Sequence, residues 1–238
     1  MRLMTEGRVE ALYASLKDMV VGFRIRPGER LNEVALARAL DTSRTPLREA
    51  LNRLISEQLI EFRPGRGFFC RDLTPTSVFE LYELRTILEV AIARLAAERA
   101  DAAEVAALHH TLYTDGRAFA GRSVRELTSQ DETFHIGLAE LAGSSELVRQ
   151  LASINDRIRY IRWIDMAERA AHTRGEHKQI MAAVEARDAD AAAALMRAHI
   201  EKRMDQVVNS VRQGYAQLYV PGDNPLFDQP MSEQDQKA

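Results

Sequence analysis

The sequence predicts a mainly α-helical protein of two domains, in which three short helices and a β-hairpin are followed by an antiparallel helical bundle. Three observations lead to this prediction. The 238 residues suit two domains of roughly 100–150 residues better than one. Apolar residues recur at three- and four-residue spacing along most of the chain, which is typical of amphipathic helices. Only residues 59–71 combine β-prone residues with a Pro/Gly turn.

Three helical segments occupy most of the first seventy residues. An apolar stripe predicts a helix from Thr5 to Phe23, which an Arg-Pro-Gly-Glu run ends. Asn32 offers an N-cap for the next helix, and Asp41 lies in the turn after it. Thr45 is the expected N-cap of the third helix, with proline in its first turn.

The β-prone runs 59–63 and 68–71 predict a hairpin, the only β-structure expected in the chain. Three helices and a hairpin in this order form a winged helix-turn-helix, whose third helix enters the major groove of DNA. We therefore assign residues 1–71 to a winged helix-turn-helix domain and residues 72–76 to a short linker.

Helical periodicity continues through the second domain, residues 77–213. It predicts six helices over residues 77–99, 102–120, 123–142, 145–166, 172–186 and 189–212. Their short connections favour an antiparallel all-α bundle. Residues 214–238 contain three prolines and many polar residues, so we expect a mobile tail.

The charges are distributed unequally between the domains. Residues 1–70 hold 12 Lys and Arg against 9 Asp and Glu, a net +3, whereas the remainder holds 20 against 26, a net −6. An arginine-rich first domain favours nucleic acid as its partner.

The single cysteine, Cys70, excludes a disulfide framework and a cysteine-based zinc site. No apolar run of about 18 residues occurs, so we expect no membrane span and a cytoplasmic location.

The polar face of the third helix is the expected DNA-reading surface. Arg44, Arg48 and Asn52 recur every four residues opposite the apolar face. Arginine can bind guanine or phosphate through two N–H groups, and hydroxyls at a helix start favour phosphate. Arg66, beside the glycine turn of the hairpin, is placed to reach the neighbouring minor groove. Ordinary solvated arginines are the alternative interpretation.

Three runs in this domain resemble the GntR family of bacterial transcription regulators. They are Pro-Gly-Glu-Arg-Leu-Asn-Glu over 27–33, Ser-Arg-Thr-Pro-Leu-Arg-Glu-Ala-Leu over 43–51, and Gly-Arg-Gly-Phe over 65–68. The resemblance implies a bacterial regulator, most often a repressor, that binds double-stranded DNA. Some relatives carry an arginine where this chain has Val34. The family's DNA-contacting positions match Ser43, Arg44, Thr45, Arg48 and Gly65. A pseudo-palindromic operator would require a homodimer, because a two-fold axis pairs two recognition helices.

Four residues of the bundle suit a metal ion. Asp131 and His135 lie four residues apart on one helix face, and His177 and His199 lie on two other predicted helices. Three imidazoles and one carboxylate suit Zn, Ni, Mn or Fe. By spacing alone, separate packed or surface histidines are the favoured interpretation.

A second resemblance extends over the bundle. Glu-Leu-Tyr-Glu-Leu-Arg over 80–85, Asp-x-x-Phe-His over 131–135, Glu-His over 176–177 and His-Ile over 199–200 are similar to the FCD ligand-binding domain of the FadR-type branch. The resemblance implies that these bundle residues hold a divalent metal, with zinc preferred: Asp131, His135, His177 and His199.

Two further residues are candidates for binding an effector. Arg85 needs an anionic partner near the inward face of its helix, which could be Glu89 or a bound carboxylate. The resemblance implies that an arginine at this position contacts a small organic acid. Asn155 is a second pocket candidate, together with Arg159 and Arg162, although surface salt bridges explain these three equally well.

Two other functional classes remain open alternatives. One is a metal-free sensor of a bulkier ligand, such as an acyl thioester. The other is a metal-dependent hydrolase with Glu176 as general base. No His-Glu-x-x-His, Gly-x-Ser-x-Gly or phosphate-binding glycine loop occurs, so we do not expect an enzyme.

Overall fold

The computed structural model describes residues 2–113 and 122–201. Contacts between Cα atoms divide the chain into two compact units, whose described parts are residues 2–73 and 74–201. The predicted tail over 214–238 and the ends of the helices predicted over 102–120 and 189–212 lie outside the described residues. Within the described ranges, we find no helix with the length and apolarity to cross a bilayer.

The first unit confirms the predicted winged helix-turn-helix. Its elements are α1 (Arg2–Val21), β1 (Arg30–Leu31), α2 (Glu33–Ala39), α3 (Arg44–Ser56), β2 (Ile60–Arg63) and β3 (Gly67–Cys70). The strands form an antiparallel sheet in the order β1-β3-β2, so β3 is the central strand. Sequence analysis missed β1, because two residues are too few to show a period.

Helix α3 is fixed by an apolar face that packs into the core of this unit. Leu47, Leu51 and Leu54 are fully buried there, together with Leu16 of α1. Burying a leucine side chain stabilises a fold by about 1.5–3 kcal/mol, so this face determines which side of α3 stays exposed.

The N-cap of α2 is the one predicted from the sequence, whereas the N-cap of α3 is not. Asn32 caps α2 as predicted, since its side chain accepts hydrogen bonds from the N–H groups of Val34 and Ala35. The predicted cap at Thr45 is wrong: α3 begins two residues earlier, and Ser43 is its N-cap. Ser43 makes no side-chain capping hydrogen bond, so the first turn of α3 keeps N–H groups available for an external acceptor.

The second unit is the predicted helical bundle, with different helix boundaries. It contains α4 (Pro75–Arg99), α5 (Ala102–Tyr113), α6 (Val124–Leu141), α7 (Ser145–Glu185) and a helix α8 over residues 189–201. The two helices predicted over 145–166 and 172–186 are one continuous helix of 41 residues. Residues 167–171, Ala-Glu-Arg-Ala-Ala, contain no large apolar residue and so interrupt the apolar stripe, but Ala, Glu and Arg are strong helix formers.

Helix α4 begins inside the segment predicted as a linker, because Thr74 and Ser77 form a capping box. The Thr74 hydroxyl accepts from the Ser77 N–H, and the Ser77 hydroxyl accepts from the Thr74 N–H, both at 3.1 Å. Thr74→Ala is expected to lower the free energy of unfolding by about 1 kcal/mol, measured by urea denaturation. Thr111→Ala, which removes an exposed hydroxyl of α5 that caps no helix N-terminus, is the control. Equal stability of the two variants would contradict the cap.

Candidate functional site

The exposed face of α3 carries the predicted DNA-reading residues. Ser43, Arg44 and Thr45 are exposed at its first turn, and Arg48 is exposed one turn later. Because the opposite face is held in the core, these side chains are presented together on one side of a rigid element. This is the arrangement that a recognition helix requires.

Arg48 is held by an acidic partner that sequence analysis missed. Its Nε and Nη2 donate to the two carboxylate oxygens of Glu33 at 2.6 and 3.2 Å. This bidentate hydrogen bonding lowers the pKa of Glu33. Arg44 forms no hydrogen bond or ion pair with another described residue. Glu33 therefore orients Arg48, whereas the N–H groups of Arg44 are available to an external acceptor.

The turn between β2 and β3 carries a glycine, Gly65, and an exposed arginine, Arg66. Gly65 has a φ of +73°, a left-handed conformation that favours glycine, and a Cβ added there would meet nothing within 4 Å. Arg66 is exposed beside it, with its guanidinium 5.3 Å from the centre of the Phe69 ring. Arg63 is instead engaged with Glu61 at 2.5 Å.

Four buried side chains converge in the second unit, and they are the four predicted metal ligands. Asp131 and His135 come from α6, His177 from α7 and His199 from α8. One ligand atom from each lies within 4.8 Å of all the others. We call these four residues the metal group.

The spacing of these atoms fits the coordination shell of a small divalent cation. The Nε2 atom of His177 lies 3.3 Å from Oδ1 of Asp131 and 3.3 Å from Nε2 of His199. The Nε2 atom of His135 lies 3.7 Å from the same Asp131 oxygen. Donors bound tetrahedrally at about 2.0–2.1 Å are about 3.3 Å apart, so these donors need to move little to share an ion.

Two carboxylates orient the imidazoles of the metal group. Nδ1 of His135 hydrogen bonds to Glu89, and Nδ1 of His199 donates to Glu176 at 2.7 Å. A proton on each Nδ1 leaves Nε2 as the lone-pair donor that faces the other ligands. Such carboxylate–histidine pairs are the usual second layer around a bound metal, where they fix ring orientation and raise ligand basicity.

The carboxylate of Asp131 is oriented in turn by a buried arginine. Arg162, on α7, donates through Nη2 to Oδ2 of Asp131, which leaves Oδ1 toward the histidines. Burial lowers the pKa of Arg162, but the charges of Asp131 and Glu132 outweigh it and raise the pKa. Arg162 and His177 lie 15 residues apart on α7, and both contact the carboxylate of Asp131.

Glu89 connects the metal group to Arg85. Its Oε1 accepts from Nε of Arg85 at 2.5 Å, and its Oε2 contacts Nδ1 of His135. Burial raises the pKa of Glu89, but Arg85 and His135 together lower it to about 2. The intrahelical ion pair considered for Arg85 is therefore present. It uses only one of the three guanidinium nitrogens: Nη1 and Nη2, both buried, make no hydrogen bond with any residue that the structure describes.

Asn155 is another buried residue whose polar atoms lack partners among the described residues. It is 2% exposed on α7, and neither its amide nitrogen nor its oxygen forms a hydrogen bond with a described residue. No hydrogen bond joins it to Arg85. Buried amides are almost always satisfied, so an unsatisfied one indicates a bound molecule or water.

A pocket adjoins the metal group on the side of α5. Asp131 and His177 form part of its wall. The other lining residues come from α5, α6 and α7: Leu112, Tyr113, Leu127, Gln130, Met166, Thr173 and Arg174. A small molecule entering this pocket would meet the metal group directly.

The fold and these two sites define the class of the protein as a DNA-binding transcription regulator with a separate helical domain. The profile of "Bacterial regulatory proteins, gntR family" matches residues 8–70, and that of the "FCD domain" matches residues 80–202. The chain belongs to the GntR family and carries an FCD domain.

Similar proteins are transcription regulators. The Nta operon transcriptional regulator of Aminobacter aminovorans is 41% identical over 202 residues, which cover 84% of this chain and 95% of that protein. The Uxu operon transcriptional regulator of Escherichia coli K12 is 32% identical, covering 79% and 82%. The HTH-type transcriptional repressor RspR of the same organism is 27% identical, covering 86% and 90%.

Solved structures share the fold. A crystal structure described as a transcriptional regulator GntR from Rhodococcus sp. RHA1 superimposes with a TM-score of 0.71 at 26% identity, covering 85% of this chain and 98% of that one. Escherichia coli McbR/YncC superimposes with a TM-score of 0.66 at 19% identity, covering 87% and 98%, a likeness of fold alone.

Proposed function

We propose that the protein is a homodimeric, ligand-controlled transcription regulator. A small organic acid bound beside a divalent metal ion in the FCD domain changes its affinity for a pseudo-palindromic operator. The observation that carries this proposal is the buried metal group joined through Glu89 to Arg85, which has two unused guanidinium nitrogens. A thermal-shift screen of small mono-, di- and tricarboxylates tests it, with stabilisation by at least one acid as the expected result.

The metal proposed for this group is zinc, with Ni, Mn or Fe as alternatives. Three imidazole nitrogens and one carboxylate oxygen suit all four ions. The bound ion would supply positive charge and a coordination position for a ligand oxygen. Asp131, His135, His177 and His199 would hold it, in the orientations set by Glu89, Glu176 and Arg162.

A carboxylate is the ligand class that this site supports best. Arg85 presents two N–H-bearing nitrogens that lack acceptors, and a carboxylate offers two acceptor oxygens in matching geometry. Asn155 adds one donor and one acceptor. A metal-free sensor of an acyl thioester remains the second candidate, although an apolar chain would satisfy none of these atoms.

A hydrolase is disfavoured because Glu176, its candidate general base, already contacts histidines through both carboxylate oxygens. Oε2 of Glu176 accepts from Nδ1 of His199, and Oε1 lies 3.2 Å from Nε2 of His172. A carboxylate with both oxygens occupied is poorly placed to remove a proton from water.

Repression is the proposed mode of control. RspR, one of the similar proteins, is named a transcriptional repressor. The acid can release the operator only if it binds the released conformation more tightly than the DNA-competent one, since equal affinity shifts no equilibrium. Tenfold derepression requires about 1.4 kcal/mol of such difference.

The recognition helix provides one testable prediction. Arg44→Ala and Arg48→Ala are each expected to weaken operator binding by about 1–3 kcal/mol, because each removes hydrogen bonds to bases or phosphates. Fluorescence anisotropy with an inverted repeat selected from random DNA measures the effect. Arg149→Ala, an exposed arginine on α7, is the control for lost charge. Unchanged affinity in both α3 variants would remove α3 as the reading element.

Replacing Asn155 is expected to raise the stability of the ligand-free protein and to reduce its stabilisation by the acid. Asn155→Leu removes two unsatisfied buried polar atoms at similar volume, so the ligand-free protein is expected to gain about 1 kcal/mol of stability. The same variant is expected to lose most of the stabilisation by the acid. Melting temperatures with and without the acid measure both effects. An unchanged response to the acid would show that Asn155 lies outside the effector site.

A further inference from the structure

The bidentate pair between Glu33 and Arg48 joins the start of α2 to the exposed face of α3. Glu33 is the first residue of α2, directly after the N-cap Asn32. Its side chain is 21% exposed, whereas that of Arg48 is 59% exposed. The carboxylate is therefore the more enclosed partner, and the guanidinium is the one that an external molecule can reach.

The backbone that carries this pair is fixed in both helices. The side chain of Asn32 accepts hydrogen bonds from two N–H groups in the first turn of α2. Leu36 of α2 and Leu47 of α3 lie in the same buried core cluster. Glu33 consequently holds Arg48 from a rigid helix, which positions a side chain more precisely than a loop does.

The pair occupies one edge of the guanidinium and leaves another edge available. Nε and Nη2 of Arg48 donate to Glu33, which uses two of the five N–H groups of the side chain. Nη1 forms no hydrogen bond with another residue that the structure describes, so the Nη1–Nη2 edge keeps two parallel N–H groups. Guanine presents two neighbouring acceptors, N7 and O6, to such an edge in the major groove.

An acidic side chain beside a DNA-reading arginine is unfavourable for affinity alone. Hydrogen bonds from Arg48 lower the pKa of Glu33, burial raises it, and the charges of Arg48 and Arg44 lower it further, so the carboxylate stays ionised. It repels phosphate and offsets one arginine charge. The benefit is selectivity: a fixed arginine loses little side-chain freedom when it binds the matching base, and it cannot turn to another acceptor when the base is wrong.

We propose that Glu33 is a positioning residue that makes Arg48 selective for guanine in each operator half-site. The inference rests on the proposed reading of DNA by α3, and it adds the base, the edge of the arginine that meets it and the residue that fixes that edge. Glu33 acts through Arg48 and contacts no base itself. The competing role for a carboxylate at this place is direct acceptance from N4 of cytosine.

Glu33→Gln tests the proposal, because it keeps the shape of the side chain but removes its charge and one of its two acceptors. Fluorescence anisotropy competition measures base preference, using the selected inverted repeat and repeats in which each guanine of the half-site is replaced in turn. The full wild-type chain is expected to prefer guanine about tenfold at one position, and Arg48→Ala to lose that preference. Glu33→Gln is expected to reduce it to about twofold while binding unselected DNA at least as tightly as the wild type.

Glu10→Gln is the matched control. Glu10, on α1, forms the same kind of bidentate pair with Arg53 of α3, at 2.6 and 3.3 Å. The control variant therefore removes the same charge and the same type of pair from the same helix, and it is expected to keep the full guanine preference. Melting temperatures equal to that of the wild type are expected for both variants, so that a change in base preference is not a change in folding.

The outcomes separate this inference from the function on which it rests. A Glu33→Gln variant with the full guanine preference overturns the inference and leaves α3 as the reading element. In an Arg48→Ala background, Glu33→Gln is expected to change base preference no further, and an additional change there would assign Glu33 a direct base contact and also overturn the inference. If Arg44→Ala and Arg48→Ala both keep every base preference of the wild type, the proposed reading of DNA by α3 fails as well.

Discussion

A His177→Ala variant is expected to lose stoichiometric zinc, the largest effect anticipated for any single substitution at this site. His177 is the link in the metal group, since its Nε2 lies 3.3 Å from both Asp131 and His199. Removing it leaves three donors and opens the ion to water, which we expect to lower zinc affinity by at least 100-fold. Inductively coupled plasma mass spectrometry after zinc loading and dialysis measures the stoichiometry.

His172→Ala is the matched control for this variant. His172 is exposed, and it contacts Glu176 but not the metal group. It is expected to retain one zinc per chain, as the wild type does. If the His177→Ala variant also retained one equivalent, the assignment of His177 as a ligand would be wrong. If the wild type held none after reconstitution, the group would be a packed polar cluster.

A Glu89→Leu variant is expected to lose about 3–5 kcal/mol of folding stability. Glu89 and Arg85 are both fully buried, so removing the carboxylate leaves an uncompensated guanidinium charge in the bundle. The pKa of Glu89 in the folded chain, about 2, lies below its ordinary value of 4.5. Its stabilising contribution is therefore present above pH 4.5 and is lost as the pH falls toward 2.

The double variant Arg85→Met with Glu89→Leu separates lost charge pairing from lost packing. Replacing both members of a buried ion pair by apolar residues is often neutral, so most of the stability is expected to return. Urea denaturation of the two single variants, the double variant and the wild type measures the coupling. A loss below about 1 kcal/mol in Glu89→Leu alone would contradict a dry, buried pair.

The metal group could be predicted from the sequence, but its supporting residues could not. The four-residue spacing of Asp131 and His135 on one helix is a local signal of a shared ligand site, and the family resemblance adds His177 and His199. Glu89 lies 46 residues from the imidazole that it orients, and Arg162 lies 31 from its carboxylate. Only the packing of α4 and α7 against α6 brings such residues together.

The same limit applies to the fold. Local signals correctly predict the N-cap at Asn32, but they miss the capping box of Thr74 and Ser77, so α4 begins inside the predicted linker. They fail where competing signals are equal: Ser43 and Thr45 are both good N-caps, and packing of the α3 face decides between them. The continuous α7 was missed because residues 167–171 lack a large apolar side chain and so resemble a break, although Ala, Glu and Arg all favour a helix.

The central claim is that binding in the bundle controls operator affinity, and one titration tests it most directly. Zinc-loaded protein is titrated into its selected inverted repeat, with and without the carboxylate that most raises the melting temperature. We predict a dissociation constant that changes at least tenfold at saturating acid, a coupling of about 1.4 kcal/mol. The same dissociation constant with and without saturating acid would contradict the account.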